Sequence, residues 1–199
     1  MRIPALIITA VLFISQLALA VATVDSQAPL FSATDSNGNP VNLKDFSGKT
    51  VIMEWTNHEC PFVKKHYGSG NMQKLQKQYT DKDTVWLSVI SSAKGKQGYV
   101  SGKEANALTK QRDAHPSYVL LDESGEIGKL YAAKTTPHMY VIDPEGMLRY
   151  MGAIDSIRSA DPADIPKATN YLTQALGEIR SGKPVSEKST KAYGCSVKY

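Results

Sequence analysis

Short apolar runs, set apart by polar stretches that carry glycine, organise the chain beyond Ala28. Thr50-Val51-Ile52-Met53-Glu54-Trp55 is short, apolar and partly β-branched, the pattern of a buried strand. Val85 to Ile90, Tyr118 to Leu121 and Met139 to Ile142 repeat it. Between these runs the period shifts to that of a helix. Pro61 to Tyr67 begins one, Gly68-Ser69-Gly70 interrupts it, and Asn71 is placed to cap a second piece with Met72, Leu75 and Tyr79 at i, i+3 and i+7. Gly102 to Ala114 has helical composition, and Ser124 to Ala132 reads as a short helix. Pro166 to Arg180 is predicted as a longer one. It has proline in its first turn, Tyr171, Leu172, Ala175, Leu176 and Ile179 on one face, and Gly182 past its end.

Turn signals supply the connections. Asp35 to Asn39 holds an Asn-Gly pair between two extended runs and predicts a hairpin over Phe31 to Asn42. Leu43 to Phe46 suits a single helical turn. Asp143-Pro144-Glu145-Gly146 is a tight turn into a return strand, Met147 to Gly152. Ala93 to Ser101 and Ser156 to Ile165 read as loops, and Lys183 to Tyr199 as an extended tail. Strands separated by helices should run parallel, and the late hairpin must be antiparallel. The expectation is an α/β fold: a central mixed sheet with helices on both faces, an N-terminal β-hairpin and an extended C-terminal tail.

The first 22 residues have the marks of an export signal. Arg2 gives a basic start, Ile3 to Ile14 is almost wholly apolar, and Ala18-Leu19-Ala20 and Ala20-Val21-Ala22 both offer the small-x-small pattern of a cleavage site. The expected organisation is a signal peptide over residues 1–22, one domain over 23–182, and a tail over 183–199 that carries Cys195. Export would place the protein in the periplasm of a Gram-negative cell, or otherwise outside the cell, with no membrane attachment after cleavage. Without Arg2 there are 22 basic and 19 acidic residues, a mild excess spread along the chain. No basic stripe suggests nucleic acid, and no paired carboxylates suggest hydrolase chemistry.

The candidate chemistry lies at Cys60. A thiol just past a buried strand and just before Pro61 sits at a helix N-terminus, where unpaired N–H groups and the helix dipole favour thiolate. Lys64, one turn on, should add to that effect and Glu59 oppose it. Cys195 is the other cysteine of the chain. A Cys60–Cys195 disulfide would close a loop of about 135 residues and contribute on the order of 5 kcal/mol by chain entropy. His58 and His138 are weak candidates for a metal site with Cys60, and His66 reads as a helix-surface residue.

Trp55-Thr56-Asn57-His58-Glu59-Cys60-Pro61 resembles the active-site entry of thioredoxin-fold proteins, and Thr135-Thr136-Pro137-His138-Met139-Tyr140-Val141-Ile142-Asp143 resembles their cis-proline loop and following strand. Ala28 to Lys49 looks like the opening hairpin of the redoxin branch, the exported TlpA-like and AhpC/TSA peroxiredoxin-like proteins. The resemblance implies a thioredoxin-like fold, a cis Pro137 beside Cys60, a Thr136 backbone free to pair with an extended peptide, and no cofactor. Trp55, Pro61, Phe62, Thr136 and Pro137 become the expected substrate-binding residues. Two departures stand out. Val63 occupies the place of the second cysteine of Cys-x-x-Cys, and Asn57 that of the peroxide-binding Thr or Ser of peroxiredoxins.

The reading this favours is an exported, peroxiredoxin-like thiol oxidoreductase, a monomer in which Cys60 attacks a disulfide or a hydroperoxide. Cys195 or an outside thiol then resolves the product. Its partners would be an external thiol reductant or a disulfide-bearing protein. One alternative is a non-catalytic binding module stapled by a Cys60–Cys195 disulfide. Another is a copper-binding protein.

Overall fold

A computed structural model describes residues 21–81 and 83–199. The expected signal peptide lies outside the described residues except for Val21 and Ala22. Its centre is a seven-stranded mixed sheet. The strands are β1 (Ser32–Asp35), β2 (Pro40–Asn42), β3 (Thr50–Trp55), β4 (Thr84–Ile90), β5 (Tyr118–Leu121), β7 (His138–Ile142) and β8 (Leu148–Gly152), in the order β2-β1-β5-β4-β3-β7-β8. β3, β4 and β5 run parallel, whereas β7 lies antiparallel to β3 and β8 antiparallel to β7. The opening hairpin joins through β1, antiparallel to β5.

Side-chain alternation along β3 divides the interior into two layers. Val51, Met53 and Trp55 point to one face, with Val85, Leu87, Tyr131, Tyr140 and Leu148. Leu43 from a 3-10 turn over Leu43–Phe46 and Ile127 from α4 (Glu126–Leu130) cover that face. Ile52 points the other way, into Val63, Met72, Leu75, Trp86, Met139 and Leu176. This second layer is roofed by α1 (Pro61–Gly68), α2 (Asn71–Tyr79) and α5 (Tyr171–Arg180), while α3 (Gly102–Gln111) packs over Val119.

Several elements differ from the sequence expectation. Asn71 does not cap α2: Gly70 does, at φ 75°, and the Asn71 amide instead meets His66 Nδ1 at 2.9 Å. His66 is accordingly fully buried, not on the helix surface. α5 begins at Tyr171, not Pro166. Pro166 belongs to a 3-10 segment, Pro162–Lys167, which ends where Ala168 turns extended, and Asn170 caps α5 by accepting from Thr173 N at 2.9 Å. The tail folds onto the body, burying Val185 and Tyr193, and ends in a two-residue strand, β9 (Cys195–Ser196), antiparallel to β6 (Thr135–Thr136).

Candidate active site at Cys60

β3 ends at Trp55, and the four residues that follow turn the chain into α1. Asn57 builds this turn. Its side-chain oxygen accepts from Glu59 N at 2.9 Å, its carbonyl accepts from Cys60 N at 3.1 Å, and its amide donates to Gln97 O at 3.3 Å. Gly98 lies so close that a Cβ there would stand 2.4 Å from the Asn57 side chain, and its φ of +84° also suits glycine. Gly98 N donates to the Glu59 carboxylate at 2.6 Å. Arg112 donates to His58 O at 3.1 Å. The position at which a peroxiredoxin would place Thr or Ser is therefore occupied by a loop-building amide.

Cys60 is the N-cap of α1, with Pro61 next to it. The Thr136-Pro137 peptide is cis, and Thr136 O accepts from the Cys60 thiol at 3.1 Å. β9 brings the second cysteine to the same place: Cys195 is the register partner of Thr136. Val197 N donates to Lys134 O at 3.1 Å, and Ala93 N to Lys198 O at 2.8 Å, so the strand is held past the cysteine too. Gly194, at φ +136°, passes Thr136 so closely that a Cβ would fall 2.0 Å from its carbonyl oxygen.

The two thiols act on each other's ionisation. Burial pushes the Cys60 thiol up, but hydrogen bonds from the Cys195 thiol and from the N–H groups of Val63 and Cys195 outweigh it, and the Cys60 pKa is lowered. Lys64, expected to contribute, is exposed and is not among the main causes. Cys195 is pushed up to about 11, by burial and by Cys60 beside it. The pair is thus polarised, with Cys60 the more acidic thiol and Cys195 the less acidic.

The tail also closes the site. Cys60 is fully buried. Phe62 is half-buried under Tyr193, with ring centroids 5.7 Å apart, and Pro61 is exposed. The Thr136 backbone, expected to be free for a peptide, is taken by β9. Trp55 offers no surface to a substrate: it is fully buried and donates from its indole to Ser91 Oγ at 2.9 Å. His138 shares a face with Tyr140, in the layer opposite Cys60, and lies 3.1 Å from the Tyr140 hydroxyl. Among the described residues, neither His58 nor His138 joins a cluster of three side chains able to hold a metal. Arg149 pairs with Asp143 and Asp25 at the hairpin. Sequence reasoning passed over Tyr193, Lys65 and Asp155, which meet beside Phe62, and Glu54, whose signal was a carboxylate inside an apolar strand.

Residues 24–151 match the model of the AhpC/TSA family. The chain belongs to that family. Curated relatives are similar over part of their length. The thioredoxin-like protein YneN of Bacillus subtilis is 30% identical over 62% of this chain and 67% of its own. The thiol-disulfide oxidoreductase ResA of Bacillus thuringiensis is 27% identical over 62% of this chain and 65% of its own. This AhpC/TSA chain thus spans about two thirds of the length of each. Among solved structures, an uncharacterized conserved protein from Geobacillus kaustophilus superposes with a TM-score of 0.77 at 27% identity, covering 89% of this chain and 92% of that one. The thioredoxin domain of a thiol-disulfide oxidoreductase from Bacteroides vulgatus gives 0.52 at 20% identity, covering 73% and 96%. The thioredoxin-like architecture expected from sequence is the one observed. Among the described residues, no helix is long and apolar enough to cross a membrane.

Proposed function

We propose that this AhpC/TSA chain is an exported, monomeric thiol-disulfide oxidoreductase in which Cys60 is the nucleophile and Cys195 the resolving cysteine. The observation that carries this reading is the seating of Cys195 on Thr136, directly against a Cys60 whose pKa is lowered. Val63 rules out a disulfide within one helical turn, and the tail supplies the missing partner from the opposite end of the chain. The Cys60 thiolate attacks one sulfur of a substrate disulfide and expels the other as a thiolate. Cys195, losing its proton to solvent, then attacks the Cys60 sulfur of the mixed disulfide. The second substrate thiol leaves, and a Cys60–Cys195 disulfide remains for an external dithiol to reduce. A disulfide substrate fits better than a hydroperoxide, because Asn57 spends its polar groups on the loop. The name of ResA, a thiol-disulfide oxidoreductase, agrees with this chemistry.

The enclosure of Cys60 favours a second reading, a binding module permanently stapled by the same disulfide. Equilibration in dithiothreitol redox buffers, followed by non-reducing peptide mapping, separates the two. The enzyme reading expects a Cys60–Cys195 bond that opens within the range of cellular dithiols, and reductase turnover that Cys195→Ser abolishes. A bond that survives those buffers, or turnover indifferent to Cys195, overturns it.

Export carries a further expectation. Ala22 is buried and its N–H donates to Leu130 O at 3.0 Å, so cleavage after Ala20 keeps the packed body whole. Mass spectrometry of exported protein should find Val21 at the N-terminus. Thr23 at that position would show the other frame in use.

A further inference from the structure

The tail is held on the site by a pocket that takes no part in thiol exchange. Tyr193, two residues before Cys195, is buried, and its hydroxyl donates to Asp155 Oδ1. Lys65 Nζ lies 3.2 Å from Asp155 Oδ2, 3.3 Å from Ile157 O and 3.5 Å from the Tyr193 oxygen. The Asp155 Oδ1 atom also accepts from Ile157 N at 3.1 Å. The Tyr193 ring stands edge-on to Phe62, with Lys65 Nζ 5.7 Å from its centroid. Lys65 and Asp155 are almost wholly enclosed, their side chains 0% and 3% exposed. A buried ion pair is tolerated only when its remaining donors and acceptors are satisfied. Here the phenol completes the set, and it keeps its proton because burial and Asp155 both push the Tyr193 pKa up.

The next two residues are as constrained as the first. Gly194 has no room for a Cβ against Thr136 O. Cys195 is fixed opposite Thr136 by the β6–β9 register. A phenol pocket, a point of backbone contact and a thiol position follow one another along three consecutive residues.

We propose that Phe62, Lys65 and Asp155 form a recognition pocket for a tyrosine two residues before a cysteine, so that the groove beside Cys60 selects extended Tyr-Gly-Cys segments. The chain's own tail is the resident occupant, and the preferred external partner is a polypeptide segment with the same three residues. This rests on the reading of Cys60 as a thiol nucleophile.

The test uses the full-length Tyr193→Ala/Cys195→Ser chain, in which the resident anchor and the competing thiol are both removed. The probes are synthetic Tyr-Gly-Cys-Ser-Val, Ala-Gly-Cys-Ser-Val and Tyr-Ala-Cys-Ser-Val, each with its cysteine in a mixed disulfide with thionitrobenzoate. Cys60 thiolate attacks the peptide sulfur, the Cys60–peptide disulfide forms, and coloured thionitrobenzoate leaves. The first peptide should react about tenfold or more faster than either of the others, as expected for loss of one hydrogen bond to a charged group or of close backbone contact. All three peptides meet the same folded chain, so its stability cancels. In the Cys195→Ser chain, the added Tyr193→Phe substitution should raise the rate with Tyr-Gly-Cys-Ser-Val, because the resident tail competes less well. Equal rates for the three peptides overturn the pocket and leave the nucleophile standing. A pH midpoint for Cys60 alkylation in the reduced, unsubstituted chain no lower than that of free cysteine overturns the oxidoreductase reading, and this proposal falls with it.

Discussion

Glu54 is the penultimate residue of β3, a strand buried along its whole length, and accepts from four donors: Tyr67 OH at 3.0 Å, Trp86 Nε1 at 3.0 Å, Ser88 Oγ at 3.3 Å and Gln76 Nε2 at 3.5 Å. Burial pushes its pKa up, and the donors work against that shift. Glu54→Leu removes the acceptor and leaves these donors enclosed, so urea unfolding should show a loss of about 3 kcal/mol or more. At the active site, Gly194→Ala should lift β9 from Thr136. The Cys195 groups that stabilise the Cys60 thiolate would leave with it, and the alkylation midpoint of Cys60 should move to higher pH; an unmoved midpoint would show that the tail has no part in its activation. Single residues were legible in sequence where their neighbours along the chain define them. Cys60 follows a strand and precedes a proline, and Pro137 stands in a recognisable run. Tyr193 was not legible, because its partners lie at Phe62, Lys65 and Asp155, and nothing in a tyrosine near a chain end reports a distant buried ion pair.

Elements were readable in proportion to their length and period. β3 and β5 carry enough apolar, β-branched character to be bounded from sequence, and the Asn-Gly turn marks the first hairpin. α5 shows the limit. Its apolar face is clear, yet the sequence pattern places its start at Pro166, because proline is favoured in the first turn and the intervening extended residues leave no periodic trace. The cap can be weighed directly. Asn170→Ala should lower stability by about 1 kcal/mol, whereas Pro166→Ala should change it by less than half of that; equal losses would place the helix start where the sequence pattern suggested. β6 and β9 are two residues each, too short for any alternation, so their pairing was visible only once the cis-proline loop and the tail were brought together.

The whole molecule carries an acid sensitivity that no single element displays. His66 and His138, on opposite layers, are both driven down to about 4, chiefly by burial. In the unfolded chain an imidazole takes its proton near pH 6.5, so below that value the unfolded state binds protons that the native state refuses. Stability is therefore complete above about pH 6.5 and falls as pH drops toward 4, by about 3 kcal/mol for each histidine. Urea midpoints measured across this window should fall, and His138→Gln should remove roughly half of the slope. The layering behind this was inferable from alternating strands and helices. The attachment of β1 to β5, and the wrapping of the last fifteen or so residues across the sheet, were not, since both depend on contacts between distant parts of the chain.

Because the tail covers Cys60 and is fastened on both sides of Cys195, access to the thiol is a matter of waiting. A reagent or substrate reaches the sulfur only after Tyr193 or Val197 lets go, and such local openings have their own frequency, independent of what is waiting outside. At high reagent concentration the reaction of Cys60 should therefore approach a plateau set by the opening of the tail, and the tail becomes the clock of the molecule.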